Sequence, residues 1–159
     1  MRTLAIALLV VLLAPVTPAS QPIQVDLGVS SKTGLVVSSS DIASDLGAAV
    51  LARGGNAVDA AVATAFAMAV THPTAGNLGG GGFMIVRLPN GAATTFDYRE
   101  TAPGKATPTM YLGADGNINR SLTAAGYLAP GGPGTVGGMA LAHKKFGKLP
   151  GKDIVTPAA

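Results

Sequence analysis

Apolar and polar residues alternate along the chain in short segments, and the first clear segment is a β-branched run at residues 34–38. Its composition (GLVVS) predicts a short buried strand. Residues 39–41 (SSD) then supply three side chains that are good helix N-caps. Apolar residues recur at spacings of three and four from Ile42 to Arg53, which predicts a helix, and Gly54 and Gly55 are typical of its end.

A second predicted helix extends from Ala57 to Val70 and is apolar on almost every face. Such a pattern is typical of a helix that is buried all round. Asn56 is placed to cap it, and Asp59 at the third helical position can reach back to the free amides. Pro73 favours an end at about His72, because proline disfavours helix in the residue before it.

The remaining segments predict two strands and one helix. Residues 83–88 and 92–98 are strands on either side of the hairpin turn at 89–91 (PNG). Thr135 is expected to cap a last helix that ends near Phe146. The order strand, helix, helix, strand, strand indicates an α/β fold. Few strands are present, so we expect open sheet edges.

The first residues resemble an export signal. Residues 4–14 are uniformly apolar, Arg2 precedes them, and small or turn-forming residues follow up to Ala19. This pattern predicts a signal peptide at residues 1–19 and a flexible leader at residues 20–33. The apolar run is shorter than the about 20 residues that a membrane span needs, so no stable span is expected. A short buried or membrane-anchoring helix is the alternative.

Composition narrows the classes of function. The 159 residues are 48% hydrophobic and only 12% charged, which favours one well-buried domain over a disordered chain. The absence of cysteine excludes disulfides, thiolate zinc sites and a cysteine nucleophile. The net charge of +3 is scattered and aromatic residues make up 4%, which argues against a nucleic-acid partner.

A glycine-rich run at residues 76–82 (GNLGGGG) invites comparison with phosphate-binding loops. Those loops follow a strand and begin a helix, whereas this run follows a helix and precedes a strand. It also lacks the Gly-Lys-Ser/Thr ending, so a nucleotide site is not supported. Two interpretations remain: close backbone packing, or main chain that approaches a ligand or a catalytic residue.

Residues 97–100 (DYRE) place three charges at a predicted strand end. Arg99 could bind a carboxylate with two parallel hydrogen bonds, oriented by Asp97 and Glu100. The residues alone favour the commoner alternative, an internal ion pair at a surface corner. His72 and His143 are far apart and have no paired carboxylates in the sequence, so we interpret both as structural and expect no metal site.

Three longer motifs resemble the γ-glutamyltransferase family (γ-glutamyltranspeptidase, glutathione hydrolase). They are GGNAVDAAVA at residues 54–63 with THPTAGNLGGGGFM at 71–84, DYRE at 97–100 followed by AP at 102–103, and PGTVGG at 133–138. The resemblance extends over residues 34–157. It identifies the chain as similar to the N-terminal portion of the family's large subunit, which we assign to residues 34–159.

The resemblance implies part of a four-layer αββα sandwich of the N-terminal-nucleophile hydrolase class, incomplete in this chain. It further implies a precursor that cleaves itself into two subunits and works in the periplasm or outside the cell. The N-terminal threonine of the small subunit would attack the γ-glutamyl amide of glutathione or a related donor, with its own amine as base. Water, an amino acid or a peptide would then accept the glutamyl group, without a metal or organic cofactor.

Carried over by position, Arg99 matches the family arginine that binds the α-carboxylate of the γ-glutamyl group, and Asp97 and Glu100 match as its supporting neighbours. The glycine run from Asn77 to Gly82 matches a family loop that packs near the site. The nucleophile has no counterpart here, so we assign no catalytic residue and expect this polypeptide to be inactive by itself. Two alternatives remain, an exported glutamate-binding module without catalysis and a related glutaryl or cephalosporin acylase.

Overall fold

The computed structural model describes residues 28–159, and residues 31–159 form one unit within it. The predicted signal peptide at residues 1–19 and most of the predicted leader lie outside the described residues. The elements in chain order are α1 (Asp41–Ala52), α2 (Ala57–Thr71), β1 (Phe83–Arg87), β2 (Ala93–Asp97), α3 (Arg120–Ala124), α4 (Thr135–Phe146), α5 (Gly151–Val155) and a 3₁₀ turn (Thr156–Ala158).

Helices α1 and α2 begin at the caps that the sequence predicts. The Ser40 side chain accepts a hydrogen bond from the backbone N–H of Ala43, 3.3 Å away, at the start of α1. Asn56 and Asp59 form a reciprocal capping box at the start of α2. Because Gly54 has a φ of +91°, the chain can reverse between the two helices at little steric cost. Both predicted helices are confirmed to within one residue at each end.

The two long helices pack closely because small residues lie between them. A methyl group at Gly47 of α1 would overlap the side chain of Thr64 on α2, so only glycine fits there. Helix α2 buries seven residues, and α4 and α5 pack against its other side. The largest fully buried side chains of this core are Met139, Ile154, Val50 and Asp59.

Strands β1 and β2 form the predicted antiparallel hairpin, with Ile85 opposite Thr95. Gly91 in the turn has a φ of +85°, which glycine adopts readily. One face of the hairpin carries Phe96, which is buried in the core, while Ile85 on the other face is 74% exposed. Among residues 28–159 these are the only two strands that pair in a sheet, so the α/β interpretation holds for a small partial sheet.

Two predictions of local structure are wrong. Residues 34–38 form no strand, and Leu35 and Val37 remain 55% and 81% exposed. A β-branched run becomes a buried strand only beside a partner strand, and the described part of the chain places none there. Thr135 does not cap α4 but is its first residue, after Gly134 at the cap position, because its hydroxyl is bonded to Asn77 instead.

Some features lie beyond the sequence prediction. The short helices α3 and α5 carry too few residues for a periodic pattern to identify them. Residues 28–33, the described end of the predicted leader, are exposed and outside regular secondary structure. None of the helices in the described range is both long and apolar enough for a membrane crossing.

Candidate functional site

Arg99 lies two residues after the end of β2, at the point where the hairpin enters a long loop. Its side chain is exposed, as are those of Asp97 and Glu100. The Asp97 carboxylate accepts a hydrogen bond from the backbone N–H of Arg99, with Oδ1 3.0 Å from the nitrogen. Asp97 therefore fixes the main chain at Arg99, whereas the arginine as a whole is exposed.

The internal ion pair that the sequence alone favoured is not present. Within residues 28–159, no lysine or arginine lies within 4.0 Å of a carboxylate, and the one basic side chain that does is His143, beside Asp59. Neither Asp97 nor Glu100 meets the Arg99 guanidinium at that distance. The structure thus brings the three predicted residues to one corner but leaves the arginine without a carboxylate partner among the described residues.

Glycines on two sides hold the backbone that carries Arg99. A methyl group at Gly81 would lie 2.6 Å from the backbone nitrogen of Glu100, and one at Gly134 would overlap the backbone carbonyl of Tyr98. Contacts this close are possible only between bare main chain and main chain. The Arg99 backbone therefore lies between the glycine-rich run before β1 and the loop before α4.

Backbone hydrogen bonds complete this arrangement. The Tyr98 N–H donates to the carbonyl oxygen of Gly82 at 3.0 Å. Thr101 and Gly132 exchange two hydrogen bonds, with N–O distances of 2.7 and 3.2 Å. The segment from Tyr98 to Thr101 is consequently bonded to Gly82 at its first residue and to Gly132 at its last.

Tyr98 anchors this segment in the core. Its ring lies against Gly82 and Gly138, where a methyl group would stand 2.9 Å from the ring in the first case and overlap it in the second. Its hydroxyl donates to the carbonyl oxygen of Phe83 at 3.4 Å. Partial burial raises the pKa of the Tyr98 phenol above its ordinary value, because the charged phenolate loses hydration.

The glycine run packs closely against neighbouring backbone at Gly76 and Gly81, which agrees with one of the two predicted interpretations. Asn77 at its start accepts hydrogen bonds at Oδ1 from the Gly80 N–H, at 3.0 Å, and from the Thr135 hydroxyl, at 2.5 Å. No helix begins at the run, so its amides do not form the anion-binding end of a helix.

A buried carboxylate at Asp59 was not anticipated beyond its capping role. Its oxygens accept the backbone N–H groups of Asn56, Lys148 and Leu149, and Nε2 of His143 lies 3.3 Å from Oδ1. His143 Nε2 also lies 3.0 Å from the carbonyl oxygen of Leu149. The sequence signal for Asp59 was its position in α2, whereas its contacts 89 residues away depend on tertiary packing.

The His143 side chain contacts the buried Asp59 carboxylate and the Leu149 carbonyl oxygen, which agrees with its structural interpretation, whereas a structural role for the His72 side chain stays a prediction. His72 ends α2, where its backbone N–H donates to the carbonyl oxygen of Met68 at 2.9 Å. The described residues hold no group of three or more histidine or acidic side chains that could bind a metal ion.

The chain is similar to known proteins in both sequence and structure. The family model described as Gamma-glutamyltranspeptidase matches residues 43–159. The glutathione hydrolase proenzyme of Escherichia coli (strain K12) is 48% identical over 146 residues, which cover 91% of this chain and 25% of that protein. The crystal structure of Helicobacter pylori γ-glutamyltranspeptidase superposes with a TM-score of 0.79 at 50% identity, covering 82% of this chain and 38% of that one.

A solved acylase structure, which bears on the alternative assignment, is less similar to this chain. The crystal structure of cephalosporin acylase from Bacillus halodurans has a TM-score of 0.61 at 26% identity, over 91% of this chain and 27% of that one.

The chain spans about a quarter of the length of the curated relatives that it matches. A family model that covers most of the sequence, together with relatives near half identity, establishes that this chain belongs to the γ-glutamyltranspeptidase family.

Proposed function

We propose that the chain is the N-terminal part of the large subunit of a γ-glutamyltransferase that acts on glutathione and related γ-glutamyl donors. The observation that carries the proposal is the corner at Arg99: an exposed arginine without a carboxylate partner within residues 28–159, on a backbone fixed from two sides. Family membership supports the same assignment.

In this proposal Arg99 binds the α-carboxylate of the γ-glutamyl group. A guanidinium offers two parallel N–H donors that match the two carboxylate oxygens, so it fixes both position and orientation. Asp97 supports it by holding the Arg99 backbone N–H, and Glu100 supports it as a neighbouring charge.

The bond-breaking step belongs to the partner small subunit. Its N-terminal threonine hydroxyl attacks the γ-carbonyl carbon while the threonine amine accepts the proton. The amide nitrogen takes a proton and leaves as a free amine, and the γ-glutamyl group remains as an ester on the threonine. Water then hydrolyses the ester, or an amino acid or peptide takes the glutamyl group. Arg99 holds the donor through both steps but forms no covalent bond.

The proposal includes an exported precursor with a signal peptide at residues 1–19, processing into two subunits and a four-layer αββα sandwich. Export would place the enzyme in the periplasm or outside the cell. The names of the relatives support the precursor, since several are called glutathione hydrolase proenzymes. The small partial sheet agrees with a layer that is completed by further strands.

The test compares variants of the complete precursor that contains this chain, using release of a chromogenic amine from a γ-glutamyl anilide. We expect Arg99→Lys to raise KM by about 10-fold or more, because a charge-assisted contact of this kind contributes about 1.5 to 3 kcal/mol. Arg87→Lys is the matched control, since Arg87 is an exposed arginine at the end of β1. An unchanged KM for Arg99→Lys would contradict the assignment.

In the acylase alternative, the enzyme acts on a glutaryl donor, which has the carboxylate of the γ-glutamyl donor but lacks its amino group. A γ-glutamyl anilide and a glutaryl anilide differ in that amino group alone. We expect a clear preference in kcat/KM for the γ-glutamyl compound, in line with the higher identity to γ-glutamyltranspeptidases. A preference for the glutaryl compound would instead favour the acylase.

A further inference from the structure

We propose that Asn77 and Thr135 are positioning residues for Arg99, and that the hydrogen bond between them sets where its guanidinium can reach. This inference rests on the proposed function, in which Arg99 binds the donor carboxylate. It assigns a role to two side chains that, among the described residues, make no hydrogen bond to Arg99.

The neighbouring glycine segments hold only the backbone of Arg99. Its side chain is exposed, whereas Gly81 and Gly134 approach the adjoining peptide groups too closely for any side chain to fit between. The reach of the guanidinium therefore depends on where these two glycine segments place the Arg99 main chain.

The two glycine segments are joined to each other around Gly80. The carbonyl oxygen of Gly80 accepts the backbone N–H groups of Gly134, at 2.8 Å, and Thr135, at 3.0 Å. Asn77 Oδ1 accepts the Gly80 N–H at 3.0 Å and the Thr135 hydroxyl at 2.5 Å. Asn77 and Thr135 thus provide the side-chain link between the glycine run and the start of α4.

Thr135 is buried, and its hydroxyl is fixed by the contact with Asn77. Thr135 is 6% exposed, and its hydroxyl serves this contact instead of capping its own helix. Hydrogen bonds are directional. A small displacement of a guanidinium therefore weakens its two parallel hydrogen bonds to a carboxylate. Losing the side-chain link would leave only the two backbone hydrogen bonds of the Gly80 carbonyl between the segments, and this looser junction would let the Arg99 backbone shift.

The kinetic test uses Thr135→Val in the complete precursor, because valine keeps the shape of threonine but has no hydroxyl. We expect KM for the γ-glutamyl anilide to rise by about 10-fold, with kcat nearly unchanged, since a misplaced binding group weakens donor binding before chemistry. Thr135→Ser keeps the hydroxyl and should restore a KM near the wild-type value. Asn90→Ala is the matched control, since Asn90 Oδ1 accepts only a local backbone N–H, that of Ala92, in the hairpin turn.

A double variant separates positioning from general damage. If Thr135 acts through Arg99, then Thr135→Val adds little to KM once Arg99→Lys has already removed the two-pronged contact. Effects that multiply in the double variant would overturn the proposal, because they would show that Thr135 acts independently of Arg99.

A second measurement does not require activity. Hydrogen exchange of the Tyr98 and Thr101 amides, which bond to the two glycine segments, should speed up about fivefold in Thr135→Val, as expected for one lost hydrogen bond. Unchanged exchange together with an unchanged KM would overturn the proposal. If Arg99→Lys leaves KM unaltered, the binding role of Arg99 fails, and the exchange rates alone decide whether Thr135 holds the segment.

Discussion

The buried carboxylate of Asp59 accepts the backbone N–H of Lys148, which lies 3.0 Å from its Oδ1 atom and 89 positions away in the sequence. The same carboxylate caps α2 through Asn56 and approaches His143. It is fully buried. One side chain therefore joins the start of α2 to the loop between α4 and α5.

We expect Asp59→Asn to lower the free energy of unfolding by about 2 to 3 kcal/mol. The amide keeps the shape of the side chain, but its NH₂ group would face backbone N–H donors that it cannot satisfy. Urea denaturation followed by circular dichroism measures the change. Asp45→Asn is the control, because Asp45 is exposed on α1 and its replacement should alter stability by at most about 0.5 kcal/mol. Equal effects of the two changes would refute a structural role for Asp59.

Neighbouring glycines on α4 should respond oppositely to alanine. A methyl group at Gly138 would overlap the Tyr98 ring, so Gly138→Ala should destabilise the protein by about 1 to 3 kcal/mol. Gly137 has open space around it, and Gly137→Ala should stabilise the helix by about 0.5 to 1 kcal/mol. Thermal unfolding of the two variants in parallel measures both. A stabilised Gly138→Ala protein would show that the close approach to Tyr98 is not required.

The raised pKa of Tyr98 predicts a loss of stability in alkali. Burial favours the neutral phenol in the folded state, so its contribution is fully present below the ordinary tyrosine pKa of about 10. That contribution is lost as the pH rises through the higher pKa of the folded state. Unfolding free energies measured from about pH 8 to about pH 11 should therefore decline less for Tyr98→Phe than for the wild type. Parallel curves for the two proteins would exclude Tyr98 as the source.

We expect the 159-residue polypeptide itself to release no amine from a γ-glutamyl anilide. Arg99 can hold a carboxylate, but a guanidinium cannot act as the nucleophile in acyl transfer. The purified chain and the complete precursor should be assayed at equal concentration. Turnover by the chain above the rate of spontaneous hydrolysis would mean that it carries a nucleophile we have not identified.

Short-range features were predictable because they depend on neighbouring residues. The caps at Ser40 and Asn56, the hairpin turn at Gly91 and the termini of α1 and α2 need only contacts within a few positions. The motifs around Arg99 likewise indicated the family before any contact was known.

Long-range features were not predictable because they depend on what lies opposite in space. Residues 34–38 have the composition of a strand but no partner strand among residues 28–159, so they form none. Threonine is a residue type that often caps helices, yet the Thr135 hydroxyl bonds to Asn77, 58 positions earlier. Residues 34–38 lack the distant partner strand that their propensity would need. Thr135 makes a distant contact that outweighs its local propensity to cap a helix.

The sequence by itself determined the three long helices, the hairpin and the family, because periodicity, caps and ordered motifs are properties of neighbouring residues. Only the tertiary structure decided that Arg99 has no ion pair with Asp97 or Glu100 and that its backbone lies between Gly81 and Gly134. The physical reason is that close packing between glycine segments has no signature in either segment alone. It arises only when folding places the two bare backbones against each other.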